Sequence, residues 1–291
     1  MVDEAMEYLA HDFMEQKEGP PVPLATDFLD RFGNEEVSFT VLHHMARFYS
    51  EQGYWSDAIS AYEALLDRHP GHEQAPFFQA EIASAYEGLG DHEAATEARE
   101  ELVESYGVES DWAEAVGPET ARAAVDSLRG SSLEQAIGYY YTKAQDSADE
   151  APQQSRSYYG QLIPRIESYL EEFGGTRQAY DFKFLLGDAY YALGQYVKAG
   201  DTYMEVGADS ISAQRRQDAA SNAWSAYMIA YGEQSGIDSA QLRQKQVEAA
   251  NFYVDNFPDG ENAARFLFGV AGNLYNAGDY ASSRQMYSRI Y

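Results

Sequence analysis

The chain has 291 residues, 45% of them hydrophobic, so it can bury a core, and its length alone allows one to three globular domains. Its 48 acids face only 20 bases, a formal net charge of −28. That field repels phosphate backbones and anionic membrane surfaces, excludes nucleic acid as a general partner and favours a basic one; it would equally suit a salt-loving organism. The absence of cysteine removes disulfides, thiolate nucleophiles and Cys-ligated metals, and a mean hydropathy of −0.52 with no apolar run of about 18 residues leaves no segment able to span a bilayer.

In chain order, Val2-Asp3-Glu4 after Met1 is neither a basic nor an apolar leader, so no signal peptide is expected at this start. Residues 1–34 read as N-terminal helices leading into an array, interrupted by Glu18-Gly19-Pro20-Pro21-Val22-Pro23, a bent connection or a fraying tail. From 35 to 107 two repeats follow. The first is Ala46-x-x-Tyr49-x-x-x-Gly53-x-Trp55-x-x-Ala58-x-x-x-Tyr62-x-x-Leu65, closing at Pro70. The second is Ala83-x-x-Tyr86-x-x-x-Gly90-x-His92-x-x-Ala95, then Leu102.

Residues 108–174 read as degenerate helical repeats. Gly117-Pro118-Glu119 looks like a helix start, with Pro at the first position. Leu133 to Gln145 and Tyr158 to Phe173 read as longer helices, the second with Pro164 inside it, and Asp146 to Ser155 as the loop between them. The span 175–291 returns to repeats, the last one truncated. Gly187-x-x-Tyr190-x-x-x-Gly194-x-Tyr196-x-x-Ala199-x-x-x-Tyr203 comes first and Ala271-x-x-Leu274-x-x-x-Gly278-x-Tyr280-x-x-Ser283-x-x-x-Tyr287 last. An extended helix pair over roughly 212–258 separates them, with Ala219, Ala223, Ala226 and Ala230 on one face. The chain stops at Tyr291 inside a second helix, which predicts continuation in a longer protein or end-to-end association.

Each recurring position has a physical job. The small residue lets the second helix approach, the aromatic three residues later fills the gap beside it, and Gly ends the first helix because it takes the left-handed cap without a Cβ clash. The helical reading also stands without the motif. Phe182, Leu185, Leu186, Ala189, Tyr190 and Leu193 follow i, i+3, i+4, i+7 spacing, and alternating β-branched runs are nearly absent. The expected fold is all-α, a superhelical solenoid of about six helix pairs.

This pattern resembles the tetratricopeptide repeat (TPR) family. The helix ends Arg68-His69-Pro70, Glu172-Phe173-Gly174 and Asn256-Phe257-Pro258 look like those of bacterial envelope TPR proteins, the β-barrel assembly lipoprotein type and the δ-proteobacterial gliding and outer-membrane complexes. The lipidated cysteine of that group has no counterpart here. The resemblance implies a concave groove lined by the first helix of each repeat, which carries over to His43, Arg47, Ser50, Ser84, Glu87, Phe184, Asp188, Tyr191, Phe268, Tyr275 and Asn276. The family's carboxylate clamp, which needs Lys and Asn, meets His43, Arg47, Ser84 and Glu81 instead, so a chaperone-tail role is not implied.

No phosphate-binding glycine loop, serine elbow or HExxH appears, and neither a catalytic residue, a metal site nor a cofactor is assigned. His43 and His44 point to different sides of a helix. His69 and His72 flank a Pro70-Gly71 turn and read as solvated, with a surface metal site as the alternative. Residues 91–119 hold ten acids against Arg99 and read as the outer face of helices, with a docking patch for a basic partner or a loose cation site as the alternative. Tyr139-Tyr140-Tyr141 and Tyr158-Tyr159 cannot all face inward, so at least one ring of each run should be exposed or groove-facing.

The expected function is a non-enzymatic protein-interaction scaffold that binds a protein or peptide through repeat surfaces. The alternatives are a structural subunit of a bacterial cell-envelope complex and a regulatory segment of a larger enzyme. The envelope resemblance points to the bacterial periplasm, with the cytoplasm as the other compartment.

Overall fold

The computed structural model describes residues 2–15, 20–32, 34–209, 212–233 and 239–290. Among these residues there are fifteen helices and no strand. They fall into two compact units, Met1–Tyr139 and Tyr140–Tyr291.

Unit 1 contains α1 (Val2–Glu15), α2 (Pro21–Phe32), the pairs α3 (Glu35–Gln52) with α4 (Trp55–Arg68) and α5 (Ala75–Leu89) with α6 (His92–Ser105), then the short α7 (Asp111–Val116) and most of α8 (Pro118–Asp146). Unit 2 takes the end of α8, then α9 (Pro152–Phe173), α10 (Arg177–Ala192) with α11 (Tyr196–Asp209), α12 (Ala213–Gly232) with α13 (Ser239–Asn256), and α14 (Ala263–Asn276) with α15 (Tyr280–Ser288). Of the stretch 18–23, Pro21, Val22 and Pro23 belong to α2; Glu18 and Gly19 lie outside the described residues. The loop placed at Asp146–Ser155 shrinks to 147–151. Ser155 is buried inside α9, where its hydroxyl donates to the Ala144 carbonyl at 2.7 Å.

Four turns share one geometry. Gly53, Gly90, Gly194 and Gly278 have φ of 73°, 76°, 76° and 83°. At each, the glycine N–H and that of the next residue close on carbonyls three and five residues back: Gly53 on Ser50 and Tyr54 on Tyr49, Gly90 on Glu87 and Asp91 on Tyr86. Gly194 bonds Tyr191 and Gln195 bonds Tyr190, while Gly278 bonds Tyr275 and Asp279 bonds Leu274. This double closure satisfies the last helical carbonyls and requires a residue that tolerates positive φ.

The small positions are buried where paired helices meet: Ala46, Ala58, Ala95, Ala199 and Ala271 are completely covered, and Ala83 nearly so. The aromatic or apolar positions Tyr49, Tyr62, Tyr190, Tyr203 and Leu274 are buried beside them. Ser283 replaces the usual alanine in the last pair, and its hydroxyl donates to the Ala271 carbonyl at 2.8 Å, so the buried oxygen is satisfied. In unit 1 an apolar cluster runs across α1 to α6 around Val41, Leu42, Met45, Tyr62 and Leu65, and another forms around Leu102, Tyr106, Trp112 and Val125. In unit 2 a cluster forms around Tyr253, Phe266, Leu267 and Val270.

Candidate interaction surfaces

In unit 1, the α3 positions His43 and Arg47 lie one turn apart. Arg47 is exposed and pairs with Glu51 at 3.1 Å, and Ser50 meets the Tyr62 phenol. Ser84 is exposed on α5 and donates to the Ala80 carbonyl. Glu87 is committed internally, to Arg99 at 2.9 Å and to His92 at 2.6 Å. Burial works against its charged form, but those hydrogen bonds and charges hold its carboxyl below the usual range.

A cleft of about 410 Å³ opens between α4, α5 and α6. Leu66, Ile82, Ala94 and Ala98 form its apolar part, Tyr86 and Tyr106 its aromatic walls, and Glu63, Asp67, Glu97 and Glu101 its acidic rim; no basic residue lines it. Burial, and then the neighbouring Asp67, push the Glu63 carboxyl up. Glu97 and Glu101 belong to the acidic stretch at 91–119, so two of its ten acids face a concavity and not only a solvated helix face. What the stretch alone did not reveal is that Glu63 and Asp67, thirty residues earlier, complete the rim.

The reading of His69 and His72 as solvated turn residues is corrected by the structure. Phe39 of α3 stacks on His72 with ring centroids 4.1 Å apart and meets His69 edge-on at 5.6 Å, which draws the turn rings inward.

In unit 2, Asp188 is the centre of a polar cluster. The Tyr203 hydroxyl donates to it at 2.5 Å. Burial pushes the Asp188 carboxyl above its ordinary range, against the Tyr203 hydrogen bond and the Arg215 charge. Arg215 in turn pairs with Asp181 at 2.8 Å and lies 4.6 Å over the ring of Phe184, which is itself buried edge-on against Tyr203. Burial and then the Asp188 charge push the Tyr141 phenol up; for Tyr159 burial again comes first, and Gln145 donates to its hydroxyl at 2.7 Å. Phe184, Asp188, Tyr203, Arg215 and Tyr141 thus come together, and Tyr191 sits partly exposed at the edge, its ring against Tyr196.

The same device recurs on α11. Tyr227 donates to Asp201 at 2.6 Å, and Lys245 binds the same oxygen at 2.6 Å. In both cases a glycine precedes the aspartate and seats the ring. A Cβ on Gly187 would lie 2.6 Å from the Tyr203 ring, and one on Gly200 would lie 2.4 Å from the Tyr227 ring. These two Gly-Asp dipeptides therefore receive a tyrosine ring against the glycine and its hydroxyl on the aspartate. Burial first, then the paired aspartate, pushes both phenols far above the usual tyrosine range.

Farther along unit 2, Phe268, Tyr275 and Tyr280 are 62%, 59% and 62% exposed. Tyr275 and Tyr280 meet in a T-shaped contact, Phe268 touches Tyr287, and Asn276 is exposed beside them. Basic residues tie helices together throughout: Arg68–Asp30 and Arg99–Glu87 in unit 1, and Lys183–Glu205, Arg215–Asp181, Lys245–Asp201 and Arg289–Asp255 in unit 2. Among the described residues no group of three His, Asp or Glu side chains is placed to hold a metal ion, and no helix is long and apolar enough to cross a membrane.

A family model described as a tetratricopeptide repeat matches residues 41–74, from the middle of α3 to the turn before α5. No curated protein matches the chain. Among solved structures it is similar to the TPR-like repeats of a kinesin light chain from Podospora anserina, at 19% identity over 74% of this chain and 95% of that one, with a TM-score of 0.32. It is also similar to the apo form of RapI, at 12% identity over 100% of this chain and 96% of that one (TM-score 0.31). A third likeness is to a human IFIT1 dimer with PPP-AAAA, at 12% identity over 93% and 67% of the two chains (TM-score 0.28). At such scores these likenesses carry no argument about what this chain does.

Proposed function

We propose that the protein is a non-enzymatic scaffold that captures a protein or peptide partner, and that a lysine or arginine side chain of that partner enters the acidic cleft of unit 1. The carrying observation is the cleft itself: four carboxylates, no base, two tyrosines and an apolar floor. Those groups suit the head and the aliphatic stem of a long basic side chain together. The net charge of −28 adds long-range attraction for such a partner. The test is binding of a fluorescent peptide of alternating lysine and leucine, measured by anisotropy at low and moderate salt. Glu63→Gln with Glu97→Gln should weaken binding by roughly tenfold, about 1.4 kcal/mol. Equal affinity for the double variant and the native chain defeats the reading.

A second reading, an assembly subunit of a bacterial envelope complex, is favoured by the exposed rings of Phe268, Tyr275 and Tyr280 on the last helix pair. It predicts concentration-dependent association in sedimentation velocity that Phe268→Glu abolishes. A native chain that stays monomeric at high concentration removes that support.

A further inference from the structure

Three imidazoles close around one phenylalanine ring in unit 1. Phe39 stacks on His72, lies 5.4 Å from His43 and meets His69 at 5.6 Å. Phe78 of α5 touches His43 at 5.5 Å and His72 at 6.2 Å, and stacks on Tyr62 of α4. The cluster therefore joins α3, the turn after α4 and α5. The turn is fixed from outside by the Trp112 indole, which donates to the His72 carbonyl at 2.8 Å. Beside the cluster lies a cleft of about 640 Å³, walled by Glu35, Glu36, Phe39, Arg68, His69 and His72.

Each ring is held in a way that suits its neutral form. The Nε2 of His69 is buried with no hydrogen-bond partner. The Nδ1 of His72 accepts the backbone N–H of Gln74 at 3.2 Å, which a protonated nitrogen cannot do. His43 is half-buried between two phenylalanine rings. A charge on His43 or His69 would be desolvated and would lie near other cationic groups. Burial lowers the His43 pKa, and Arg47, His44 and His72 add to it. Burial also lowers that of His69; Glu35 opposes, while His72 and Arg68 reinforce.

Among the charges around the cluster, Glu35 is the acid that favours a protonated His69, and burial outweighs it. Arg68 is paired with Asp30 of α2 at 2.5 Å, and His44 is 3.8 Å from Glu7 of α1. Glu81 of α5 acts on the Tyr62 phenol, and Glu36 shares the cleft wall with Glu35.

We propose that this imidazole–phenylalanine cluster is an acid-sensitive latch: its neutral rings hold α3, the turn and α5 together, and protonation on mild acidification releases them. The unfolded reference for histidine is about 6.5. With folded values below it, the latch contributes fully above about pH 6.5 and is lost as pH falls through the folded values. Helix α5 also supplies Gln79, Ile82 and Tyr86 to the acidic cleft, so release of the latch also loosens that cleft's α5 wall. The latch stands whether or not that cleft binds a partner.

All six histidines precede residue 93, so unit 2 has none and serves as an internal reference. The experiment is a histidine-ring NMR titration of the full chain, combined with amide hydrogen exchange over residues 69–86 and over unit 2. His43 and His69 should titrate below free histidine. Protection over 69–86 should fall on the order of tenfold relative to unit 2 between about pH 7.5 and about pH 5, and His43→Phe with His69→Phe should abolish the fall. Normal titration of both rings, or a fall identical in the two units, overturns the latch. If the double variant does not fold, the titration of the native chain decides.

Discussion

The two units solve the same packing problem with different chemistry. In unit 1 Tyr62 stacks on Phe78 at 5.8 Å and the buried Tyr49 hydroxyl has no hydrogen-bond partner, while Trp55 lies against Gly88, a glycine seat like those of unit 2. Unit 2 seats Tyr203 and Tyr227 on Gly187 and Gly200 and ends each ring on an aspartate. A ring on a ring tolerates sliding and depends on area buried. A phenol on a buried carboxylate is directional, and it leaves a costly group behind when broken. The units should therefore differ in what breaks them.

The largest expected effect is at the ring seats. Gly187→Ala places a methyl carbon inside the Tyr203 ring contact and should destabilise unit 2 by about 1–3 kcal/mol, even though alanine is the better helix former. Gly160→Ala, in open space on α9, should instead gain about 0.5–1 kcal/mol. Urea unfolding followed by circular dichroism separates the two, and equal effects would mean that the seat is not under packing constraint.

A smaller difference separates two hydroxyl deletions. Tyr203→Phe strips Asp188 of its hydrogen bond and should cost roughly 1–3 kcal/mol near neutral pH, whereas Tyr49→Phe removes an unsatisfied buried hydroxyl and should be about neutral. The pH dependence sharpens the contrast. The folded pKa of Asp188 is raised, so its contribution is fully present below the unfolded carboxyl value and is lost as pH rises through the folded one. The His43 and His69 contributions run the other way, lost as pH falls. Comparing the denaturation midpoints of native chain and Tyr203→Phe at about pH 4 and about pH 7 checks this, since the penalty should shrink in acid.

These differences explain what could be seen in advance. The turn glycines were legible because a double closure after a helix demands positive φ, which marks Gly53, Gly90, Gly194 and Gly278 by residue type alone. The covered alanines were legible by spacing. Asp188 is legible as a first-helix position, but its bond to Tyr203 is not, because an aspartate on a helix usually faces water. Gly-Asp stands at 90–91, 187–188, 200–201 and 278–279, and the first and last of these are turn caps, so the dipeptide alone does not mark the seat. The helix start at Pro118 is legible in the sequence, but its continuity with the helix over Leu133 to Gln145 is not, since Gly130, Ser131 and Ser132 interrupt the apolar period of the single helix α8. The histidine cluster was hidden for a different reason: residue 39 lies on α3 and residues 69 and 72 on the turn after α4, and only the fold brings their rings into contact.

The ties between helices have one more consequence. Among the described residues Arg68, Arg99, Lys183, Arg215, Lys245 and Arg289 cross-link elements, and the chain's 48 acids far outnumber its 20 bases, so its own bases cannot balance them. Dissolved cations must supply that balance, which makes the ionic atmosphere a working part of the molecule. Salt relaxes the mutual repulsion of the outer carboxylates and at the same time slackens the inner struts. The net response of the array to ionic strength is the sum of these opposing pulls.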